Sequence, residues 1–176
     1  LTAKTLITDA TGNCSAYIKS MTAGASIISI FRPLELTGKK INVYFNPTSV
    51  YDTNSNLTVS LTQAPADSAT AITLSVRLAD AGNNPVNNTF VKLASSRGDS
   101  DFIIYGNGSN LGDTTNASGN ITAYLRSSAS GTATIFIVAP EGLDKNRVIK
   151  FTYGQLDKFK VELFGILTAE TAISKS

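Results

Sequence analysis

Along most of the chain apolar and polar residues alternate with a period of two. The clearest case is Ile72, Leu74, Val76 and Leu78, with a polar or charged residue between each pair. In an extended strand that spacing puts every apolar side chain on one face and wets the other. Runs of this kind predict strands at Leu57–Thr62, Ala71–Ala79, Thr89–Ala94, Phe102–Tyr105, Ile121–Ser127, Thr132–Val138 and Arg147–Tyr153. Ile135 and Ile137 are expected to face the core, as is Tyr124 or Leu125 from the neighbouring strand. Between the runs stand turn formers. Ala81-Gly-Asn-Asn-Pro85, Ala117-Ser-Gly-Asn120 and Ala10-Thr-Gly-Asn13 are rich in residues that tolerate positive φ. Ser130-Gly131 and Ala23-Gly24 mark tight hairpins. Short strands with polar turns predict two antiparallel sheets packed face to face, an all-β sandwich.

The same pattern occurs twice. Thr8–Ile30 aligns with Thr115–Ile137 without a gap over 23 positions, at an offset of 107, with 10 identities. Beyond it Ile41, Val43 and Phe45 alternate as Ile149, Phe151 and Tyr153 do, with one inserted residue. A second correspondence joins Leu57–Leu61 to Phe159–Leu163, and Thr70–Thr73 to Thr171–Ser174. The chain is thus expected to be a window on a periodic array. Residues 1–48 read as the closing half of one repeat and 49–155 as a complete repeat. Residues 156–176 read as the first strands of a following repeat, or as an exchanged strand segment. A period of about 105 residues suits an immunoglobulin-like sandwich and is too long for a solenoid.

At this point the residues resemble a known family. Ile72–Val86, ITLSVRLADAGNNPV, is similar to the opening of the bacterial immunoglobulin-like repeats of invasin and intimin, in which a strand runs into an Asp-x-x-Gly-Asn-Pro-Val type of turn. Thr114–Ile135 resembles the later part of those repeats: a Thr-Asp-Ala-x-Gly turn, a strand, a small-residue turn and another strand. The resemblance implies tandem immunoglobulin-like β-sandwich domains of a cell-surface, extracellular protein. It implies little about function, because such domains serve as spacers in many surface proteins. The buried Trp and paired Cys of antibody domains are missing.

Composition narrows the chemistry. The chain of 176 residues has no His and no Trp, a single Cys and a net charge of +2. Without His the usual general base and the commonest metal ligand are lacking. No phosphate-binding glycine loop occurs, and the acids are scattered among turns. Asp99, Asp101 and Asp113 lack the dense carboxylate spacing of a calcium loop. The expectation is no enzyme, no cofactor and no metal. Basic residues are dispersed, so no nucleic-acid partner is expected, and no apolar run reaches the length of a membrane span. Cys14 aligns with Ile121 and is expected to be a buried hydrophobe. The chain begins at Leu1 rather than Met, which reads as a processed form or a fragment.

Three patterns remain as candidate sites. Sequons for N-glycosylation occur at Asn13, Asn56, Asn87, Asn107, Asn116 and Asn120. Arg97, Gly98 and Asp99 form the tripeptide that resembles an integrin-recognition motif, in a predicted loop. Phe159, Val161 and Leu163 form an orphan strand that a neighbouring subunit can take up by strand addition. The expected partners are therefore neighbouring domains or subunits of the same kind, with N-glycans where the sequons are used. The functional expectation is a stalk, surface layer or adhesive appendage. The alternatives are a filament subunit that polymerises head to tail by β-strand complementation, and a carbohydrate-binding module.

Overall fold

The computed structural model describes residues 5–30 and 38–153. Two strands come first: β1 (Gly24–Ser29) and β2 (Lys40–Phe45), an antiparallel pair that sets Gly24 opposite Phe45 and Ile28 opposite Ile41. Nine more follow: β3 (Asn56–Val59), β4 (Gln63–Pro65), β5 (Ile72–Arg77), β6 (Phe90–Ser95), β7 (Asp101–Tyr105), β8 (Asp113–Thr114), β9 (Asn120–Ser127), β10 (Gly131–Ala139) and β11 (Asn146–Thr152). They build a four-stranded sheet in the order β3-β5-β9-β7 and a five-stranded sheet in the order β4-β11-β10-β6-β8.

Alternation decides the core. Ile72, Leu74 and Val76 of β5, Ile121, Ala123 and Leu125 of β9, and Ala133, Ile135 and Ile137 of β10 point inward, joined by Leu57, Val91, Leu93, Ile149 and Phe151. Leu125 takes the core position and Tyr124 faces outward, as their parity on β9 requires. Phe90 is half exposed while Val91 and Leu93 are buried, so the inward register of β6 begins at Val91. The sheets are also tied by a polar contact. The buried Tyr105 hydroxyl of β7 accepts the Leu93 N–H of β6 at 2.6 Å, and burial pushes its phenol up.

The expected strand Leu57–Thr62 stops at Val59, and a separate short strand, β4, follows at Gln63. β3 pairs antiparallel with β5, and the chain then crosses to the other sheet, where β4 runs parallel to β11 with Ala64 beside Phe151. Leu57 and Ala64 are each buried in their own sheet, and Leu61 at the crossing is half exposed. The two-residue β8 carries no alternation and exists only through its pairing with β6.

Two expectations about the first half need correction. Cys14 is exposed, not buried, and residues 13–20 form no strand. Their counterpart β9 is held between β5 and β7, and no such neighbours flank residues 13–20 among the described residues. The hairpin register also revises the alignment. Gly131 pairs with Phe151 as Gly24 pairs with Phe45, so the partner of Phe45 in the second copy is Phe151, not Tyr153. Phe159, Val161, Leu163 and the rest of 156–176 lie outside the described residues.

Candidate functional site

Three turns of the chain share one geometry. In Asp9–Asn13, Asp80–Asn84 and Asn116–Asn120 the side-chain Oδ1 of the first residue accepts the N–H groups of the third and fifth. The first N–H donates to the fifth carbonyl, and the fourth N–H donates to the first carbonyl. The fourth residue has positive φ, at 82° for Gly12, 61° for Asn83 and 73° for Gly119. A short side chain with an sp² oxygen is what this closure needs, hence Asp or Asn at its head.

Asp80 does more than its two counterparts. It is buried, and its second oxygen accepts the Thr48 N–H at 2.9 Å, on the segment that links β2 to the sandwich. The Asn84 Nδ2 donates to both of its oxygens at 3.0 Å. The Thr48 N–H above all, aided by the Asn84 amide and the turn N–H groups, outweighs the cost of burial and holds the Asp80 carboxyl at about 2. From the other side, the Asn54 Nδ2 donates to the Asp80 carbonyl at 2.8 Å. A depression of about 350 Å³ opens here, lined by Met21, Phe45, Thr48, Asp80, Gly82 and Asn84 among others. The sequence held a signal for this place, a third Asp/Asn-Ala turn ending in Asn, but only the structure shows its carboxylate gripping a distant segment.

Arg97 lies at the opposite end of the four-stranded sheet and points inward. Its guanidinium pairs with Asp101, whose side chain is fully buried, and donates to Ser127 Oγ at 2.6 Å. It also donates to the carbonyls of Ala129 at 2.8 Å and Ser130 at 3.1 Å. Its Cζ sits 5.0 Å from the centre of the Phe151 ring. Burial opposes ionisation of Asp101, yet hydrogen bonds from Arg97, Ser95 and Ser127 hold its carboxyl below the usual range. Gly98 and Asp99 are exposed in a short 3₁₀ turn. The tripeptide therefore shows its Gly and Asp to solvent while its Arg is engaged inside.

All six sequon asparagines are exposed. Asn107 spends its amide on Gly112 O at 3.2 Å and Asp113 Oδ1 at 2.9 Å. The Oδ1 of Asn116 closes its turn, and Asn56 Oδ1 accepts from Arg147. Among the described residues no three His, Cys, Asp or Glu side chains stand together as metal ligands, and no helix is long and apolar enough to cross a membrane.

Sheets of four and five strands, with β3-β5-β9-β7 facing β6, β10 and β11, reproduce the strand order of an immunoglobulin-type sandwich. Residues 54–152 match the family model described as bacterial Ig-like domain (group 1), and the chain belongs to that family. Comparison with the curated proteins yields no match. Among solved structures the chain is similar to InvD of Yersinia pseudotuberculosis at 17% identity and a TM-score of 0.60, over 80% of this chain and 41% of that one. It is similar to invasin, described as a bacterial integrin-binding protein, at 20% identity and a TM-score of 0.51, over 84% and 28%. The D00-D0 domain of intimin matches at 21% identity and a TM-score of 0.48, over 65% and 56%. The chain spans less than two thirds of the length of each of these structures.

Proposed function

We propose that the chain is a length of a non-enzymatic, extended rod at a bacterial cell surface, in which immunoglobulin-like domains in series carry an adhesive or layer-forming part away from the cell. One observation carries this reading. The Asp9–Asn13 turn and the β1–β2 hairpin repeat the backbone bonds of the Asn116–Asn120 turn and the register of the β10–β11 hairpin, and the segment after β2 is bonded to Asp80 of the sandwich through Thr48. Two units of one design standing end to end are what a rod requires. The family and the likeness to invasin-type domains support the surface location.

A second reading, the filament subunit, is favoured by the hairpin's inner face. Ile28, Val43 and Phe45 are only half-buried, whereas the equivalent Ile135, Ile149 and Phe151 are 0–1% exposed. A strand given by a neighbouring copy, with Phe159, Val161 and Leu163 inward, would cover that face. Electron microscopy with sedimentation of the purified chain separates the two. A rod segment stays monomeric across the micromolar range. Concentration-dependent head-to-tail fibres would replace the rod reading with the filament.

A further inference from the structure

We infer that the turn Asp80–Asn84 is a socket for the corner turn of a preceding immunoglobulin-like repeat, and that the complete repeat carries the matching plug at its own far end. The inference rests on the reading of the chain as repeats in series.

The socket works through one side-chain amide. Asn84 Nδ2 donates to the Met21 carbonyl at 2.8 Å, and Asn84 Oδ1 accepts the Ala23 N–H at 2.8 Å. A carboxylate can only accept, so Asp80 fixes the Nδ2 end of the amide toward itself and Met21. The oxygen is then left aimed at Ala23. Both bonds go to backbone, so the socket recognises the shape of a corner and not its side chains. Met21 itself is 80% exposed. Gly82 permits the approach, because a Cβ there would collide with the Met21 carbonyl oxygen. A third tie, Thr48 N–H to Asp80, holds the linker to the same turn.

The plug is a recurring structure. Ser20 Oγ donates to Thr22 O at 2.8 Å and accepts the Thr22 N–H at 3.1 Å. At the equivalent place Ser127 Oγ donates to Ala129 O at 3.0 Å and accepts the Ala129 N–H at 3.2 Å. Met21 O and Ala23 N therefore correspond to Ser128 O and Ser130 N. Among the described residues those two groups make no hydrogen bond. They are set to meet the next socket amide. Arg97 stiffens this corner from beneath, through Ala129 O, Ser130 O and Ser127 Oγ.

The register places the two devices at opposite ends. Arg77, which leads to the socket, pairs with Asn120, while Ile72 at the other end pairs with Leu125, next to Ser127 and the plug. The eight residues of β9 run between them, a span of roughly 25 Å at the usual strand rise. A unit with a socket at one end and a plug at the other joins its copies in series without large apolar interfaces.

The test is made on the whole 176-residue chain, by residual dipolar couplings and amide exchange. In the wild type, residues 24–29 and 40–45 should share one alignment tensor with the sandwich. Asn84→Ala removes both amide bonds, and Gly82→Ala leaves the amide in the chain but adds a Cβ that collides with the Met21 carbonyl oxygen and crowds Asn84 Nδ2. Each should split the tensor in two and speed exchange of the Ala23 N–H by about tenfold, the worth of one lost hydrogen bond. A single shared tensor and unchanged Ala23 exchange in both variants would overturn the socket while leaving repeats in series intact. Absence of the β1–β2 ladder in the wild type would instead remove the serial-repeat reading itself. Should Asn84→Ala unfold the sandwich, Gly82→Ala decides alone, since the nearest neighbours of the added Cβ are Met21 O, Asn84 Nδ2 and Asp80 Oδ1, none of them in the apolar core.

Discussion

At the residue scale the most informative side chains are two acids and one base whose work was invisible in their neighbours along the chain. Arg97 and Asp101 form a buried pair, so removing one leaves the other charged and unsatisfied. Arg97→Ala should destabilise the sandwich by about 3–5 kcal/mol in urea unfolding, whereas Asp99→Ala, two residues on and exposed, should change it by less than about 0.5 kcal/mol. Equal small effects would mean that the pair is not held inside. Asp80 gives a pH signature. Its carboxyl titrates at about 2 in the fold against 3.8 ordinarily. Its contribution is therefore fully present above roughly pH 4 and is lost as the pH falls through 2. Asp9, Asp67 and Asp101 are lowered as well, so the difference between wild type and Asp80→Asn isolates the effect. The gap in urea midpoint between the two should shrink as pH drops from 4 to 2. A gap that stays constant over that window would show that Asp80 does not titrate with folding.

At the element scale the two hairpins, alike in sequence, differ in what covers them. Ile135 is fully buried between the sheets, while Ile28 at the equivalent position is half-buried. Ile135→Ala should cost about 2–5 kcal/mol through lost burial and the cavity left behind. Ile28→Ala should cost about 1 kcal/mol or less, since little apolar area there is removed from water. Calorimetry of the two variants checks this, and equal losses would mean that the hairpin's inner face is covered in solution. Seven strands were legible because period-2 alternation is written locally. The end of β3 at Val59 and the crossing to β4 were not, because the alternation runs on through Leu61 and the crossing follows from where β11 lies. β8 was invisible because two residues carry no period. Cys14 was misread because its sequence match to Ile121 is real but, among the described residues, the strands that bury Ile121 have no counterpart beside it.

At the scale of the whole molecule, the choice between rod and filament turns on residues 156–176. If they open a following repeat, deleting them leaves the 49–155 sandwich with unchanged cooperative unfolding and a monomeric chain. If they are exchanged, the same deletion abolishes fibres. By itself the sequence determined the class of fold, the core face of nearly every long strand and the internal repeat, because alternation, turn chemistry and self-similarity are properties of the chain in order. It also held the three Asp- or Asn-headed turns as a pattern. Tertiary structure alone decided which of those turns bonds a distant segment and why the Arg of Arg97-Gly98-Asp99 points inward. It also decided which copy of the hairpin is truly a core. Each of these depends on a partner far away in sequence: Thr48 and Met21 for the Asp80 turn, Ser127 and Phe151 for Arg97, and a facing sheet for Ile135. Local physics specifies a strand and a turn. Only the meeting of groups distant in sequence specifies which of them grips another part of the chain.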